Sequence, residues 1–219
     1  MSHRACICGL SYVRGLPKDE AKHRKIHSEY FIGPSIPSIS KAPILDDIDG
    51  LAVHVVDERT PFEVRRKIAH VAMVGQRSMS GYPAGYDGTV NEEHQRLYVL
   101  VEMQRTIGFV LSATDTRFWK LAWTLDDNVQ LLDRNPSLHP GSKIGRVWVA
   151  AKYRRKGLAK KLVFIASKNL GVVPSEFGWE LPFTIAGTAL VRSLAPSTFY
   201  GCGDETQLPS SHQRVLPND

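Results

Sequence analysis

A basic turn between an apolar run and a helix is the part of the sequence best suited to bind a phosphate group. Residues 147–151 form a continuous apolar run that is typical of a buried strand. The pattern R-x-x-G-x-A follows, with Arg154, Gly157 and Ala159, and apolar residues then recur at helical spacing. The first N–H groups of a helix have no intrahelical partners, and the helix dipole adds positive potential there. The pattern therefore predicts an anion cradle that suits a pyrophosphate, with a solvated basic helix end as the alternative.

In this position the R-x-x-G-x-A pattern resembles the acetyl-CoA signature R/Q-x-x-G-x-G/A of the GNAT N-acetyltransferases. In that fold the signature strand and the next strand splay apart, so that the pantetheine arm of acetyl-CoA binds exposed backbone. By resemblance, the backbone of Val147 and Val149 would hold this arm. The residues that the resemblance assigns to the pyrophosphate are Arg154, Arg155, Lys156, Gly157, Leu158 and Ala159.

Two cysteines and two histidines near the start have the composition of a zinc site. Cys6 and Cys8 lie in a segment that reads as a short hairpin, and His23 and His27 lie on one face of the helix that follows. Two thiolates and two imidazoles are a ligand set of structural zinc. The spacing is unusual, because Ile7 alone separates the cysteines where a zinc knuckle has two residues. Two incidental cysteines and two surface histidines are the alternative.

The same segment resembles the zinc finger of the sister-chromatid cohesion acetyltransferases, the Eco/ESCO family, which join such a finger to a GNAT domain. The residues that match are Cys8, Gly9, Tyr12, His23 and His27, whereas Ala5 stands at the family's first cysteine position. The resemblance covers nearly the whole chain. It implies a nuclear protein-lysine N-acetyltransferase that uses acetyl-CoA, carries structural zinc and acts on a cohesin ATPase-head subunit. Association with chromatin is a further expectation, and no membrane partner is expected.

The proposed reaction needs a base. The amine of a free lysine, with a pKa of about 10.4, is mostly charged at neutral pH and has to lose a proton before it attacks a thioester. Glu180, at the head of the splayed strand, is the predicted base, directly or through water, with a surface glutamate as the alternative. By resemblance to many GNAT enzymes, Tyr200 would protonate the leaving thiolate. Around this chemistry the chain departs from the family pattern, with Gly145 and Phe164 in place of a serine and an acid, and Ile185 in place of an aspartate.

The composition is that of a globular protein. The chain has 219 residues, of which 42% are hydrophobic and 23% charged, so one medium domain with a small appendage is expected. A net charge of +6 and a pI near 9.3 favour acidic partners such as nucleic acid, chromatin or a phosphate-rich cofactor. No apolar run reaches the roughly 20 residues of a membrane span, and the start lacks a signal-peptide core, so an intracellular protein is expected. Three cysteines make no disulfide framework.

The spacing of apolar residues predicts the elements that must position these groups. A first strand is expected at 51–56, a helix at 61–76 and a hairpin of strands 96–102 and 106–113. The other expected elements are a sheet extension at 118–123, the signature strand and helix, a strand at 178–184 and a helix at 187–194.

The element order predicts an α+β fold, namely a GNAT-like mixed and mostly antiparallel sheet flanked by helices, with a small N-terminal ββα zinc finger. Residues 78–93 and 124–141 are expected to be loops. The predicted boundaries are a finger at 1–33, a linker rich in Pro and Ser at 34–50 and the GNAT domain at 51–219.

Three functions are compatible with the sequence. The first is a lysine N-acetyltransferase of the cohesion-establishment type. The second is a GNAT module that binds acetyl-CoA or a protein with little or no turnover, which the departures at Gly145, Phe164 and Ile185 suggest. The third is a zinc-finger nucleic-acid-binding protein, although one finger contacts only about three base pairs.

Overall fold

The computed structural model describes residues 2–77, 86, 88–89, 94–124, 128–133, 135–181 and 183–202. Most of the loop predicted at 78–93 lies outside these residues. None of the helices in the described ranges combines the length and apolarity that crossing a bilayer requires.

The N-terminal ββα unit consists of an antiparallel hairpin, β1 (Ser2–Ala5) and β2 (Ser11–Arg14), followed by helix α1 (Pro17–Ile32). Proline suits the first helical position because its missing N–H would have no partner there. The acids of the first turn face the hairpin: Asp19 accepts a hydrogen bond from the Val13 amide at 3.2 Å, and Glu20 accepts one from the Gly15 amide at 2.9 Å. These contacts fix the helix start against the hairpin.

The main sheet has eight strands in the order β10-β9-β8-β6-β5-β4-β3, with β7 also paired to β6. Its pairs are antiparallel except β8–β9 and β9–β10, which are parallel. The mixed, mostly antiparallel sheet predicted from the sequence is thus confirmed. The strands are β3 (Ile44–Ile48), β4 (Leu51–Val56), β5 (Arg96–Glu102), β6 (Arg105–Trp123), β7 (Val129–Leu131), β8 (Ser137–Val149), β9 (Gly178–Glu180) and β10 (Thr198–Cys202).

Three further helices are α2 (Phe62–Arg77), α3 (Leu158–Leu170) and α4 (Ile185–Leu194). Helices α2 and α3 lie on opposite faces of the sheet. On one face, Gly75 of α2 lies so close to Phe109 that a Cβ would come within 2.8 Å of its ring. On the other face, the Tyr98 hydroxyl donates to the Asn169 side chain of α3 at 2.9 Å. Because Tyr98 pairs with Val110, the neighbour of Phe109, the two contacts point in opposite directions. The central strands are therefore buried on both faces, as their continuous apolar sequences predict.

Some boundaries differ from the sequence predictions. The predicted loop at 124–141 is wrong in part, because it contains β7 and the start of β8. Strand β7 has only three residues and the start of β8 is mostly polar, so both give a weak strand signal in the sequence and are ordered by pairing with the long β6. Residues 34–50, predicted as a linker, include the edge strand β3, which pairs with β4. The strand predicted at 178–184 is shorter, and β10 had no prediction.

Candidate functional site

The gap between β8 and β9 is the central feature of the candidate site. Lys143 pairs with Gly178 and Ile144 with Trp179, and within the described residues no further pairing of these strands follows. On its other side β8 remains paired with β6 as far as Val149. Pairing of the two parallel strands therefore ends at Ile144 and Trp179, and β9 itself ends one residue later. This leaves a gap beside the rest of β8, at the place where the resemblance implied a splay.

The backbone of β8 faces this gap at alternate residues. The Ala150 amide donates to the Ile107 carbonyl of β6 at 2.8 Å, so the backbone groups of Ala150 face β6. Backbone groups alternate along an antiparallel strand, so those of Val149 and Val147 face the opposite edge, toward the gap. The Val149 carbonyl accepts a hydrogen bond from Arg154 Nε at 2.8 Å. The structure thus places both predicted pantetheine-binding residues at the gap.

The turn that follows opens onto the start of α3. Arg155 and Gly157 have positive φ angles of 65° and 74°, and Gly157 is the N-cap of the helix. A Cβ at Gly157 would meet nothing within 4 Å, so the space in front of the helix start is open. The Lys161 amide makes the first intrahelical bond, to the Gly157 carbonyl at 3.1 Å. The amides of Leu158 and Ala159 precede this bond and lie at the positive end of the helix dipole, where an anion is stabilised.

The basic side chains of the turn point in different directions. Arg154 Nη1 donates to the Tyr30 hydroxyl of α1 at 3.0 Å, so this guanidinium is directed toward the ββα unit. Arg155 and Lys156 are exposed, and Lys156 Nζ lies 5.5 Å from the centroid of the Tyr153 ring. No acidic residue lies in the first turn of α3. The structure thus places the exposed Arg155 and Lys156 beside an open helix start, whereas the predicted pyrophosphate residue Arg154 directs its guanidinium to α1 instead.

Helix α4 flanks the same helix start. Lys160 Nζ, in the first turn of α3, donates to the Ser193 carbonyl near the end of α4 at 3.1 Å. Thr184 caps α4, since its side chain accepts a hydrogen bond from the Gly187 amide at 3.1 Å. Helices α3 and α4 are therefore in contact with each other beyond the gap between β8 and β9.

Glu180 lies where the gap begins. It directly follows Trp179, the last residue of β9 that pairs with β8, and it is half-buried. Gly145, at a bulge in β8, lies beside it, and a Cβ on Gly145 would come within 2.9 Å of Glu180 Oε2. The Glu180 carboxylate therefore occupies the space next to Gly145 that a Cβ would take. Gly145 is one of the departures from the family pattern. Its missing side chain leaves this space to the carboxylate.

The other predicted catalytic residue, Tyr200, lies on β10. It pairs with Gly178 of β9 and Lys120 of β6, while Cys202 is the partner of Glu180. Strand β9 thus separates Tyr200 from β8 and from the open gap. The proton-donating role of Tyr200 stays a prediction, and the structure does not bring its strand to the gap.

The remaining two departures from the family pattern lie on the surface. The Phe164 side chain on α3 is 47% exposed, and Ile185, the first residue of α4, is 64% exposed. Neither belongs to the hydrophobic core.

The four predicted metal ligands converge in the ββα unit. The candidate ligand atoms of Cys6, Cys8, His23 and His27 all lie within 4.8 Å of one another. Cys6 Sγ is 3.3 Å from His27 Nδ1, and His23 Nε2 is buried without a hydrogen-bond partner in the described part of the chain. Burial raises the pKa of the Cys8 thiol, so a metal that binds there has to displace its proton. This donor set and spacing fit a tetrahedral Zn²⁺ site, and the short Cys-x-Cys spacing does not prevent the convergence.

The ββα unit is packed against the main sheet and α2. A Cβ on Gly9 would come within 1.8 Å of the Arg77 carbonyl of α2, and one on Gly33 within 2.1 Å of the Thr106 carbonyl of β6. Glu29 and His70 add a contact of 3.0 Å between α1 and α2. Sequence reasoning missed this docking, because glycines with positive φ predict turns but do not reveal what lies against them.

The gap between parallel strands, the open helix start and the flanking helices are together those of a GNAT-like fold. The solved structure of the xEco2 acetyltransferase domain bound to a CoA conjugate is similar, with a TM-score of 0.61 and 16% identity over 75% of this chain and 98% of that one. A second structure of the xEco2 acetyltransferase domain has a TM-score of 0.56 and 17% identity over 75% of this chain and 97% of that one. No family model and no curated relative matches the sequence. At this identity the similarity establishes the fold.

Proposed function

We propose that the chain is an acetyl-CoA-dependent protein-lysine N-acetyltransferase of the Eco/ESCO type. The observation that carries the proposal is the position of one carboxylate, Glu180, at the vertex of a strand gap that leads to an open helix start at Gly157. A cofactor such as acetyl-CoA fits this path, with its pyrophosphate at the helix start, its extended arm along the gap and its reactive end near Glu180.

The residues along this path have separate tasks. The backbone amides of Leu158 and Ala159, in the first turn of α3, bind the pyrophosphate. Their N–H groups have no intrahelical partner and lie at the positive end of the helix. The backbone of Val147 and Val149 holds the pantetheine arm. When bound, acetyl-CoA supplies the acetyl thioester. Glu180 accepts the proton of the attacking amine, directly or through water, so that the neutral amine becomes the nucleophile.

The ββα unit is proposed to be a structural zinc finger. Four protein ligands fill a tetrahedral site and leave no open position for catalysis. The metal would hold the hairpin and α1 together, since the small core of this unit contains just Cys8, Ile26 and Tyr30 as fully buried residues among those described.

The proposed substrate is a lysine of a cohesin ATPase-head subunit, and the proposed location is the nucleus. Two observations support this choice: the fold similarity to the xEco2 acetyltransferase domain and the finger residues that match the Eco/ESCO pattern. The test is mass spectrometry of a cohesin ATPase-head fragment after incubation with acetyl-CoA and the zinc-loaded protein. Acetyl-lysine is expected with the wild type and not with Glu180→Gln. Its absence with a wild type that binds acetyl-CoA in calorimetry would contradict the cohesin substrate and favour a binding module without turnover.

A nucleic-acid contact is the second candidate function, and the outer face of α1 favours it. Lys18, Lys22, Arg24 and Lys25 are all exposed on this helix. The acids of the first turn are directed to the hairpin amides and, within the part of the chain that the structure describes, form no ion pair with these basic side chains. This face would support association with chromatin by contacting phosphates. Fluorescence anisotropy with labelled duplex DNA tests it, and the double variant Lys22→Gln/Lys25→Gln is expected to bind more weakly and to depend less on salt.

A further inference from the structure

Arg154, the first residue of the signature pattern, is held by two elements. Its Nε donates to the Val149 carbonyl of β8 at 2.8 Å, and its Nη1 donates to the Tyr30 hydroxyl of α1 at 3.0 Å. The guanidinium carbon also lies 5.0 Å from the centroid of the Tyr30 ring, within the range of a cation–π contact. One arginine thus connects the end of the signature strand, the signature turn and the ββα unit.

Tyr30 is fixed from the other side by the core of the ββα unit. It is 3% exposed and packs in one cluster with Cys8 and Ile26. Ala151, which lies between β8 and the signature turn, packs against the same cluster. The ring of His27, a candidate metal ligand, lies 6.4 Å from the ring of Tyr30, about one helical turn away. The candidate metal ligand His27 is therefore separated from Arg154 by a single side chain, that of Tyr30.

The signature turn needs such support. Arg155 has a φ of 65°, a left-handed conformation that costs a non-glycine residue free energy and persists where neighbouring structure holds it. Without a partner, the long Arg154 side chain would regain rotamer freedom, and the turn would lose its connection to α1. Binding of a phosphate at the start of α3 would then also have to order the turn. The free energy that this ordering requires lowers the affinity for the phosphate.

We propose that Tyr30 is a positioning residue, which holds the signature turn through Arg154 and thereby couples metal binding in the ββα unit to cofactor binding at α3. This inference rests on the proposed acetyl-CoA site and adds a role for the finger in forming it. Coupling between two sites is reciprocal, so CoA strengthens zinc binding by the same factor by which zinc strengthens CoA binding.

The first experiment is calorimetry of zinc-loaded wild type and Tyr30→Phe with CoA and with acetyl-pantetheine, which lacks the pyrophosphate. The variant keeps the ring and loses the hydroxyl that Arg154 binds. We expect CoA to bind about five- to tenfold more weakly and acetyl-pantetheine to bind unchanged. Loss of a whole hydrogen bond to a charged group would weaken binding by roughly tenfold to a hundredfold, but the ring of the variant still contacts the guanidinium. Tyr98→Phe is the matched control, because it removes the buried hydroxyl that donates to Asn169 without touching the turn, and it should bind CoA like the wild type.

The second experiment measures zinc affinity by competition with a chelator, with and without saturating CoA. CoA should raise the zinc affinity of the wild type, and this increase should largely disappear in Tyr30→Phe. This measurement does not depend on acetyl transfer, and a general loss of stability would not remove the difference between the two conditions.

The outcomes separate this inference from the function it rests on. A zinc-loaded wild type that binds neither CoA nor acetyl-pantetheine would overturn the proposed function. A wild type that binds CoA, together with a Tyr30→Phe variant of equal CoA affinity, would overturn the role of Tyr30 and leave the proposed function intact. Equal weakening of CoA and acetyl-pantetheine in the variant would also overturn it, because the effect would then not be specific to the pyrophosphate turn.

Discussion

At the vertex of the strand gap, a glycine lies against the end of a carboxylate side chain. A Cβ on Gly145 would lie 2.9 Å from Glu180 Oε2, closer than real Cβ contacts allow. The sequence predicted Glu180 as a base but gave Gly145 only as a missing serine. The contact between the two could not be foreseen, because it arises from the register of the parallel pair β8–β9, which no local pattern encodes.

Replacing Glu180 by glutamine should separate catalysis from cofactor binding. Glutamine keeps the shape of the side chain but cannot accept the proton of the amine, so kcat should fall by about 100-fold or more. The affinity for CoA should stay within about twofold of the wild-type value, because the substitution leaves the turn and the start of α3 unchanged. Steady-state release of CoA in the presence of the acceptor, with calorimetry of CoA binding, measures both. An unchanged kcat would exclude Glu180 as the base.

Tyr153, just before the signature turn, predicts a pH dependence of stability. Its hydroxyl donates a short hydrogen bond to Glu102, and this bond raises the pKa of Tyr153 from 10.0 to about 12. A pKa that is higher in the folded state means that the stabilisation is complete below pH 10 and is lost as the pH rises toward 12.

The free energy of unfolding should therefore fall more steeply between these pH values in the wild type than in Tyr153→Phe. The loss of unfolding free energy in the wild type should exceed that in the variant by about 1–2 kcal/mol. This is less than the free energy that a shift of two pKa units corresponds to. Urea unfolding of both proteins across this pH range measures it, and the comparison cancels the titration of other groups. Parallel pH profiles for the two proteins would contradict the assignment.

Among the elements, α3 carries the cofactor hypothesis, and two glycines delimit it. Gly157 caps its start with a φ of 74°, and Gly171 caps its end with a φ of 67°. In neither position would a Cβ meet an atom within 4 Å. The two residues therefore differ mainly in which end of the helix they shape.

Alanine at either glycine should cost about 1 kcal/mol of stability, because the left-handed conformation is strained for any other residue. Gly157→Ala should in addition weaken CoA binding several-fold, since the change alters the start of the helix and narrows the open space before it. Gly171→Ala serves as the control, with the same loss of stability and unchanged CoA affinity. Chemical unfolding and calorimetry give the two quantities. Equal CoA affinity in both variants would place the pyrophosphate elsewhere.

The elements that the sequence predicted are those with strong local signals. The strands at 51–56 and 96–102 and the signature helix have clear apolar periodicity, and the structure contains them at these positions. The second hairpin strand, predicted at 106–113, is longer, because β6 runs without a break through the predicted extension at 118–123. The edge strand β3 contains two aspartates, β7 has only three residues and the first half of β8 is mostly polar. These strands form because β4 and β6 offer partners. Strand β10 pairs with both β9 and β6, so that β6, β8, β9 and β10 form a closed ring of strands. This ring depends on residues that are far apart in the sequence, and it has no local sequence signal.

At the scale of the whole molecule, the finger and the sheet form one packed structure. Gly33 ends α1 with a φ of 88° and lies against the Thr106 carbonyl of β6. The Ile36 amide then donates to the Gln104 carbonyl at 2.8 Å, and the Thr106 amide donates to the Pro34 carbonyl at 2.9 Å. We therefore expect finger and sheet to unfold together.

Gly33→Ala tests this continuity. The added methyl group would overlap the Thr106 carbonyl, so the variant should lose about 2 kcal/mol or more of stability. Gly50→Ala is the matched control: Gly50 has a similar φ of 80° and nothing within 4 Å of a Cβ, so it should show the backbone strain alone. Thermal unfolding followed together with zinc release should give a single transition in the wild type. Zinc release well below the main transition would show that the finger is independent.

The central claim is that the gap between β8 and β9 and the start of α3 form an acetyl-CoA site. Backbone amide NMR of isotope-labelled protein during a titration with CoA tests it most directly, because it locates the ligand on the chain without requiring turnover. The account predicts saturable shift changes that are largest at Val147, Leu158 and Ala159, with the outer face of α1 around Lys22 unchanged. No shift changes at saturating CoA, or changes centred on Lys22 instead, would contradict the account.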